Sequence, residues 1–447
     1  MAVLCLASCM KSDSDGGEPY CAIQAFSVGS IVSYVQTVDA DGNNISSKRV
    51  VSGSSIYFNI DQKAGTITNV DPLPYWITLT RVLPTFTSYG NVYMVMDSLL
   101  WGITSGTDSI DVTVPRTLAC ISTDGLYRKD YTLTITKRAE VSDTIVWERL
   151  STADLQLTGA HRALVATYKD ENQTDLWVRR IFVFSEDEAS CPQVTSTVDG
   201  QSWTVPAALT GAEGTIDYQS VTIHQGQFYA IDDLGKLYTA TEQSKGVAWT
   251  KVADTSLQSL LGSDGVYLYG FDGTTIVGTA DMVNWKAEGS TDLGMLPQHS
   301  VYSFSVPMKS NESLTMAMMG GISSGNTANG VTWYKKTSPE KEYDEPWSYI
   351  QVTGDNAHGL PRLEELSTFY YEGQLYTMGR SLQSDGTYRF DGFYCSEDHG
   401  IAWHLQEAKW LLPVELDAAD GPASTVLVGD TLYVVQQGGS VWRGVIR

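Results

Sequence analysis

The chain has 447 residues, 42% hydrophobic and 11% aromatic, enough apolar material for more than one core. Charged residues are only 18%, yet 52 Asp and Glu outweigh 29 Lys and Arg, for a net charge of −23. That balance argues against a nucleic-acid partner and against adhesion to anionic lipid by charge. The 40 Gly and 24 Tyr, with short apolar runs ending in turn residues, point to an all-β chain.

In chain order, the first feature is Leu6-Ala7-Ser8-Cys9. It resembles the lipobox of bacterial lipoproteins, in which the cysteine is acylated and becomes the mature N-terminus. Cys9 is therefore the expected lipidation site. No basic segment precedes it, so residues 1–19 read as a truncated lipoprotein signal and tether. The competing reading is an ordinary buried N-terminal strand. No later run approaches the roughly 18 apolar residues of a membrane span, so the membrane is met only through the lipid. The expected location is the cell envelope, as an outer-membrane lipoprotein. Cys21, Cys120, Cys191 and Cys395 are scattered without a CxxC, so neither a metal nor a cofactor is expected. Cys21 and Cys120 could pair in an oxidising compartment; free, partly buried thiols are the expected state.

Residues 20–138 form the first domain. Strands are expected over Ile23–Phe26, Ser55–Ile60, Asn91–Met96 and Ser109–Val114. Thr117–Thr136 places two alternating segments around Thr123-Asp124-Gly125, a hairpin signal. The length and short strands suit an immunoglobulin-like sandwich. Lys137–Asp143 is a polar link.

From residue 145 a repeat begins. Its mark is a Trp opening a strand, at Trp147, Trp203, Trp249, Trp285, Trp347 and Trp403. Gly lies three residues earlier at Gly200, Gly246 and Gly400, and Ser/Thr-x-Asp precedes it at Thr197/Asp199, Thr279/Asp281 and Ser396/Asp398. Each repeat reads as four short strands. A lone sheet of this kind leaves apolar faces and unpaired edges, which radial stacking covers. Residues 144–447 therefore read as a six-bladed β-propeller. The last repeat stops after Ser440–Val445 without a Trp-led strand, while Thr144–Leu150 is such a strand without a repeat. Pairing the two would close the ring.

The element Ser396-x-Asp398-x-Gly400-x-Ala402-Trp403, echoed by Thr197, Asp199, Gly200 and Trp203, resembles the Asp box of sialidases and related propellers. Its expected role is structural: side-chain oxygens bond turn N–H groups, Gly takes a positive φ, and Trp packs between blades. A sialidase would need an arginine cluster, a Tyr-Glu pair and an Arg-Ile-Pro segment. Here Arg179-Arg180 and Arg362 are the nearest arginines and no Arg-Ile-Pro occurs. Glu364-Glu365 could act as paired carboxylates, but neighbours on a strand face opposite ways. No catalytic residue is assigned.

The whole chain resembles a family of Bacteroidetes lipoproteins of unknown function, with an immunoglobulin-like N-terminal domain and an Asp-box or kelch-like propeller. The likeness rests on Leu-Ala-Ser-Cys9, Ile60–Ile67 with Asp71–Pro74, Asp97–Leu100, Ser122–Thr132 and Ser396–Trp403. It implies an envelope location and glycan handling, and brings no catalytic residues. The expected function is a binding or scaffold module, a monomer taking a glycan or a protein partner. The alternative is a sialidase-like glycoside hydrolase with an unrecognised active site.

Overall fold

In a computed structural model, the described residues are 20–38, 44–53, 56–138, 144–150, 155–169, 176–242, 244–290, 292–308, 314–338, 344–353, 358–406, 410–417 and 421–446. Cys9 lies outside them. The chain forms two compact units: one holds the residues up to Tyr34 with Val51–Lys137, the other Val35–Val50 with Arg138–Arg447. None of the described helices is long and apolar enough to cross a membrane.

In the first unit, Ala22–Val28 pairs antiparallel with Pro84–Tyr89. A six-stranded sheet runs Phe58–Asp61, Thr66–Asn69, Arg128–Thr134, Arg116–Ile121, Asn91–Met96, Leu99–Gly102. Ile23, Ile67, Leu118 and Tyr131 are wholly buried in one core. A polar triangle caps its edge: Ile23 N–H donates to Tyr131 Oη (3.1 Å), and the exposed Gln62 receives the Tyr131 hydroxyl (2.6 Å) while donating to Ile23 O (2.6 Å). Satisfied polar groups of this kind fix register. The hairpin around Asp124 is present, with Gly125 at φ 74° and Asp124 accepting Leu126 N–H. Ser109–Val114 departs from expectation, holding only the single bridge Ile110–Val82. Asp111 accepts the N–H and hydroxyl of Thr113, a turn that competes with strand pairing.

The second unit is a β-propeller. Six antiparallel sheets follow one another. Sheet I comprises Arg162–Lys169, Trp177–Glu186, Pro192–Thr197 and Ala207–Ala208. Sheet II comprises Thr222–His224, Gln227–Ile231, Leu237–Ala240 and Thr250–Ala253. Sheet III has Ser259–Ser263, Leu268–Phe271, Ile276–Thr279 and Lys286–Glu288; sheet IV has His299–Pro307, Thr315–Ile322, Val331–Thr337 and Ser348–Tyr349. Sheet V has Glu364–Tyr371, Gln374–Leu382, Tyr394–Ser396 and His404–Leu405, with Tyr388–Phe390 beside its second strand. Sheet VI takes Ala423–Val428, Thr431–Gln436 and Val441–Ile446 from the C-terminal end and Ile145–Leu150 from before sheet I. The pairing of Trp147 opposite Gly444 and of Leu150 opposite Val441 is the one the orphan Trp-led strand called for. It covers an edge that would otherwise stand open.

Each Trp mark packs on the sheet before its own. Trp249 joins Phe182 and Phe184 of sheet I, Trp285 joins Tyr229 and Leu237 of sheet II, and Trp347 joins Leu261 and Tyr269 of sheet III. Trp403 sits with Tyr302 and Met318 of sheet IV, and Trp147 with Tyr376 and Phe393 of sheet V. Trp203 of sheet I meets Tyr433 and Val435 of sheet VI, so the series returns on itself. The Trp residues do not all open strands: four sit one residue ahead of the fourth strand, Trp203 lies further ahead, and Trp147 is inside its strand. The reason is local. In Trp203, Trp249 and Trp403 the indole N–H turns back to the carbonyl of the Gly three residues earlier, at 2.9–3.1 Å, which holds the Trp backbone in the turn.

Candidate functional site

The first strands of the six sheets surround a cavity of about 380 Å³ on the propeller axis. Strand alternation sends every second residue toward that axis, and convergence of the strands leaves room mainly for small side chains. Ala163, Thr222, Ser263, Ser303, Ser367 and Thr425 are among those that line it. Their hydroxyls tie neighbouring sheets together. Ser303 Oγ receives Ser263 N–H (3.1 Å), Ser367 Oγ receives Thr425 N–H (2.8 Å), and the Ser424 hydroxyl donates to His161 O (2.8 Å).

The two ends differ. Where the first strands end, Val165, Phe304, Tyr370 and Leu427 line the wall, with the Phe304 and Tyr370 rings 6.3 Å apart. Burial pushes the Tyr370 hydroxyl up to about 12. Where the strands begin, the lining is polar: His161, Arg162, Gln219, Ser300 and Glu365. A second hollow of about 340 Å³ adjoins this end, sharing Gln219, Ser300 and Val301 and adding Glu186, Asp217 and His299.

The polar end is shaped by bulges. The first strands of sheets III, IV and V each carry one extra residue near their start. Each bulge contains a left-handed residue: Gly262 at φ 118°, Ser300 at 50° and Glu365 at 46°. The last two are not glycines, and such a backbone costs of order 1–3 kcal/mol. The partner strands accommodate it with glycines. A Cβ on Gly379 would lie 2.8 Å from Leu363 Cβ, and one on Gly321 2.7 Å from His299 O. Bulges of this kind re-aim side chains and concentrate beside functional sites.

Charge at this end is divided unevenly. Glu365 Oε2 accepts both Arg380 Nη2 (2.6 Å) and Nε (3.0 Å). Glu364 instead lies 3.6 Å from Arg362, whose guanidinium also donates to Ser323 O and Asn326 O. The adjacent carboxylates thus answer to different arginines. Arg162 reaches from sheet I to sheet IV and donates to Val301 O at 2.9 Å. Its Nε is buried and unpartnered, and burial lowers the guanidinium to about 10 against the opposing attraction of Asp217. His161 is buried with its ring nitrogens 3.0 Å from Gly159 O and 2.9 Å from Val435 O. Burial lowers its pKa against the opposing pull of those carbonyls.

Two family comparisons bear on this architecture. The DUF6242 beta propeller domain matches residues 141–447, and the Domain of unknown function (DUF6242) N-terminal domain matches 26–135. The chain belongs to the DUF6242 family. No curated protein matches it. Among solved structures, virginiamycin B lyase from Staphylococcus aureus is similar at 9% identity and a TM-score of 0.34, over 68% of this chain and all (100%) of that one. A DUF4623 family protein from Bacteroides eggerthii is similar at 9% identity and a TM-score of 0.23, over 96% and 99% of the two chains. An alpha-L-arabinofuranosidase from Clostridium thermocellum is similar at 13% identity and a TM-score of 0.34, over 61% and 81%. Likenesses this faint assign no residue of the DUF6242 chain a role.

The residues whose spacing resembles an Asp box lie outside the channel lining. Thr197 Oγ1 accepts Gly200 N–H (3.0 Å), while Asp199 Oδ1 accepts the N–H groups of Gln201 and Ser202 (both 2.8 Å). These bonds hold the Asp199 carboxyl down at about 2. Ser396 and Asp398 do the same for Gly400 and Ala402. These turns sit between third and fourth strands, where Gly200 admits Tyr433 of sheet VI and Gly400 admits Thr332 of sheet IV. Glu365 of the DUF6242 chain reaches the channel; Glu364 is not among its lining residues. Arg162, His161 and Ser300 were not singled out by the sequence. The one local hint for the bulges is the glycine placed opposite, in Gly320-Gly321 and Gly379.

Proposed function

We propose that this protein is a binding module of the cell envelope whose propeller channel receives a small polar ligand, glycan-derived molecules being the first class to test. The observation that carries the reading is the strained pair Ser300 and Glu365 at the polar end of the channel. Strain is kept where the surrounding structure over-determines it, and it clusters at ligand sites. Binding is preferred to hydrolysis because Glu364 and Glu365 are held by separate arginines, with Glu365 engaged on both Arg380 nitrogens. In the same reading the six sheets are six blades of one ring, closed by Ile145–Leu150. The unit ending at Lys137 is read as an immunoglobulin-like sandwich. A monomer is held at the outer membrane by lipid on Cys9.

The test is a glycan array followed by titration calorimetry on the purified full chain and on Val165→Trp. Val165 is half-buried on the channel wall, and an indole there would project into the cavity and obstruct it. Binding should disappear in the variant while its melting temperature stays within a few degrees. Multiple-turnover release of reducing sugar, abolished by Glu365→Gln, would replace the binding reading with the hydrolase one. For the anchor, a palmitate analogue should label the protein in cells and fail to label Cys9→Ala. Label on the variant would rule out Cys9 as the acylated residue.

A further inference from the structure

Arg162 is an unusual cation for the hub of a propeller. It stands on the first strand of sheet I and reaches Val301 O in sheet IV, with sheets II and III intervening in sequence. That carbonyl is its one hydrogen-bond partner among the described residues, and it forms no ion pair there. Five N–H donors are available on a guanidinium, and the Asp217 carboxylate favours its charge through space without bonding to it. Of the carboxylates at this end, Glu365 is occupied by Arg380, and Asp217 attracts Arg162 without a hydrogen bond or ion pair between them. Arg138 and Arg380, by contrast, hold carboxylates directly: Arg138 meets Glu372 at 3.1 Å and Asp430 at 2.5 Å, and Arg380 meets Glu365 at 2.6 Å. Among the described residues, Arg162 is the arginine that lines the cavity, and it has donors to spare.

We infer that Arg162 is the receptor for a carboxylate carried by the channel's ligand, an acidic sugar or the acidic end of a short glycan. The inference rests on the channel being the binding site. A carboxylate matches the guanidinium fork in geometry and supplies the directly bonded anion that Asp217 does not. The cavity of about 380 Å³ suits a molecule of one or two sugar rings, with Phe304 and Tyr370 at the far end offering apolar ring faces. The chain's net charge of −23 disfavours anions elsewhere on the surface, so recognition depends on this one enclosed cation.

The test uses the full chain with galacturonate, N-acetylneuraminate, their methyl esters, succinate and inorganic phosphate, by titration calorimetry and thermal melting. A sugar acid should bind at least tenfold tighter than its ester. Arg162→Met should erase that difference, Arg162→Lys should retain part of it, and Val165→Trp should abolish both. Without ligand, Arg162→Met should melt within a few degrees of the parent, because the desolvation it relieves offsets the Val301 bond and the Asp217 attraction it removes. A sugar acid should raise the melting temperature of the parent and leave that of Arg162→Met unchanged. Equal stabilisation by succinate or phosphate would assign the site to small anions at large rather than to sugar acids, and so overturn the sugar assignment. If acids and esters bind alike while Val165→Trp abolishes both, the carboxylate assignment fails and the channel reading stands. If Val165→Trp leaves acid binding intact, the channel reading itself fails. If no acid shifts the parent's melting and Arg162→Met melts lower, Arg162 is a structural tie and the inference is overturned.

Discussion

The turns at Thr197–Trp203 and Thr279–Trp285 occupy the same place in sheets I and III, and they solve the same packing problem in two ways. Both use an aspartate to collect N–H groups: Asp199 takes those of Gln201 and Ser202, Asp281 those of Val283 and Asn284. They diverge at the next residue. Gly200 stands at φ 75°, and the Tyr433 ring of sheet VI lies 2.4 Å from where its Cβ would be. Met282 stands at φ 63° with a side chain of its own, buried among Leu237 and Leu257. In the first turn the neighbouring sheet fills the interface; in the second the turn fills it. The Trp follows suit. Trp203 reaches Gly200 O at 3.1 Å, whereas Trp285 is half-buried and its N–H has no partner among the described residues. The aspartate and the glycine–tryptophan pair are thus separable parts of one motif.

The largest expected effect tests the tryptophans. Trp203→Ala should destabilise by about 3–5 kcal/mol, the scale for deleting a buried aromatic. Trp285→Ala should cost clearly less, about 2–3 kcal/mol, because its ring is partly solvated and no hydrogen bond is lost. Urea unfolding of both variants measures the gap. Equal losses would mean that the indole–carbonyl bond and the deeper burial contribute nothing that distinguishes the two turns.

Next come the left-handed positions. Gly200→Ala places a Cβ against Tyr433 in a conformation that strains L-residues, at about 1–2 kcal/mol, with overpacking adding about 1–3 kcal/mol. Met282→Gly relieves similar strain but removes a side chain whose burial is worth about 1.5–3 kcal/mol. The expected net loss is near 1 kcal/mol. A gain in stability for Met282→Gly would show that Met282 is tolerated rather than used, and that the second turn is a decayed copy of the first.

The same contrast explains what could be read from the sequence. The spacing Thr197-x-Asp199-Gly200 with Trp203, and its copy at Ser396–Trp403, is local and periodic, so the repeat and the stray strand at Ile145–Leu150 were legible. The hairpin at Asp124-Gly125 was legible for the same reason. The channel was not. Ser300 and Glu365 adopt positive φ in defiance of their residue types, and only the surrounding sheet enforces it. Arg162 meets Val301 across 139 residues, a juxtaposition that no local pattern encodes. Glu364 and Glu365 looked like a pair; the bulge between Glu364 and Ser367 gives each its own arginine.

The smallest effect concerns acid. The backbone N–H groups of Ser202 and Gln201 hold Asp199 at about 2, and Asn284 and Val283 hold Asp281 well below the usual range. A carboxyl lowered in the folded state stabilises it fully above the unfolded pKa near 3.9, and that contribution is lost as pH falls through the folded value. The window is therefore roughly pH 4 down to 2. Asp199 is solvent-exposed, so screening keeps its share below about 1 kcal/mol. The two turns should differ in how they respond to losing the charge. Thr197 Oγ1 accepts Gly200 N–H while its hydroxyl donates to Asp199, whereas Asp281 also binds the Asn284 side-chain amide at 2.7 Å. Asp281→Asn would set two amides against each other there. The acid limb of the melting curve should therefore flatten more for Asp281→Asn than for Asp199→Asn. The reverse order would mean that Asp199 carries its turn alone and that Thr197 is dispensable.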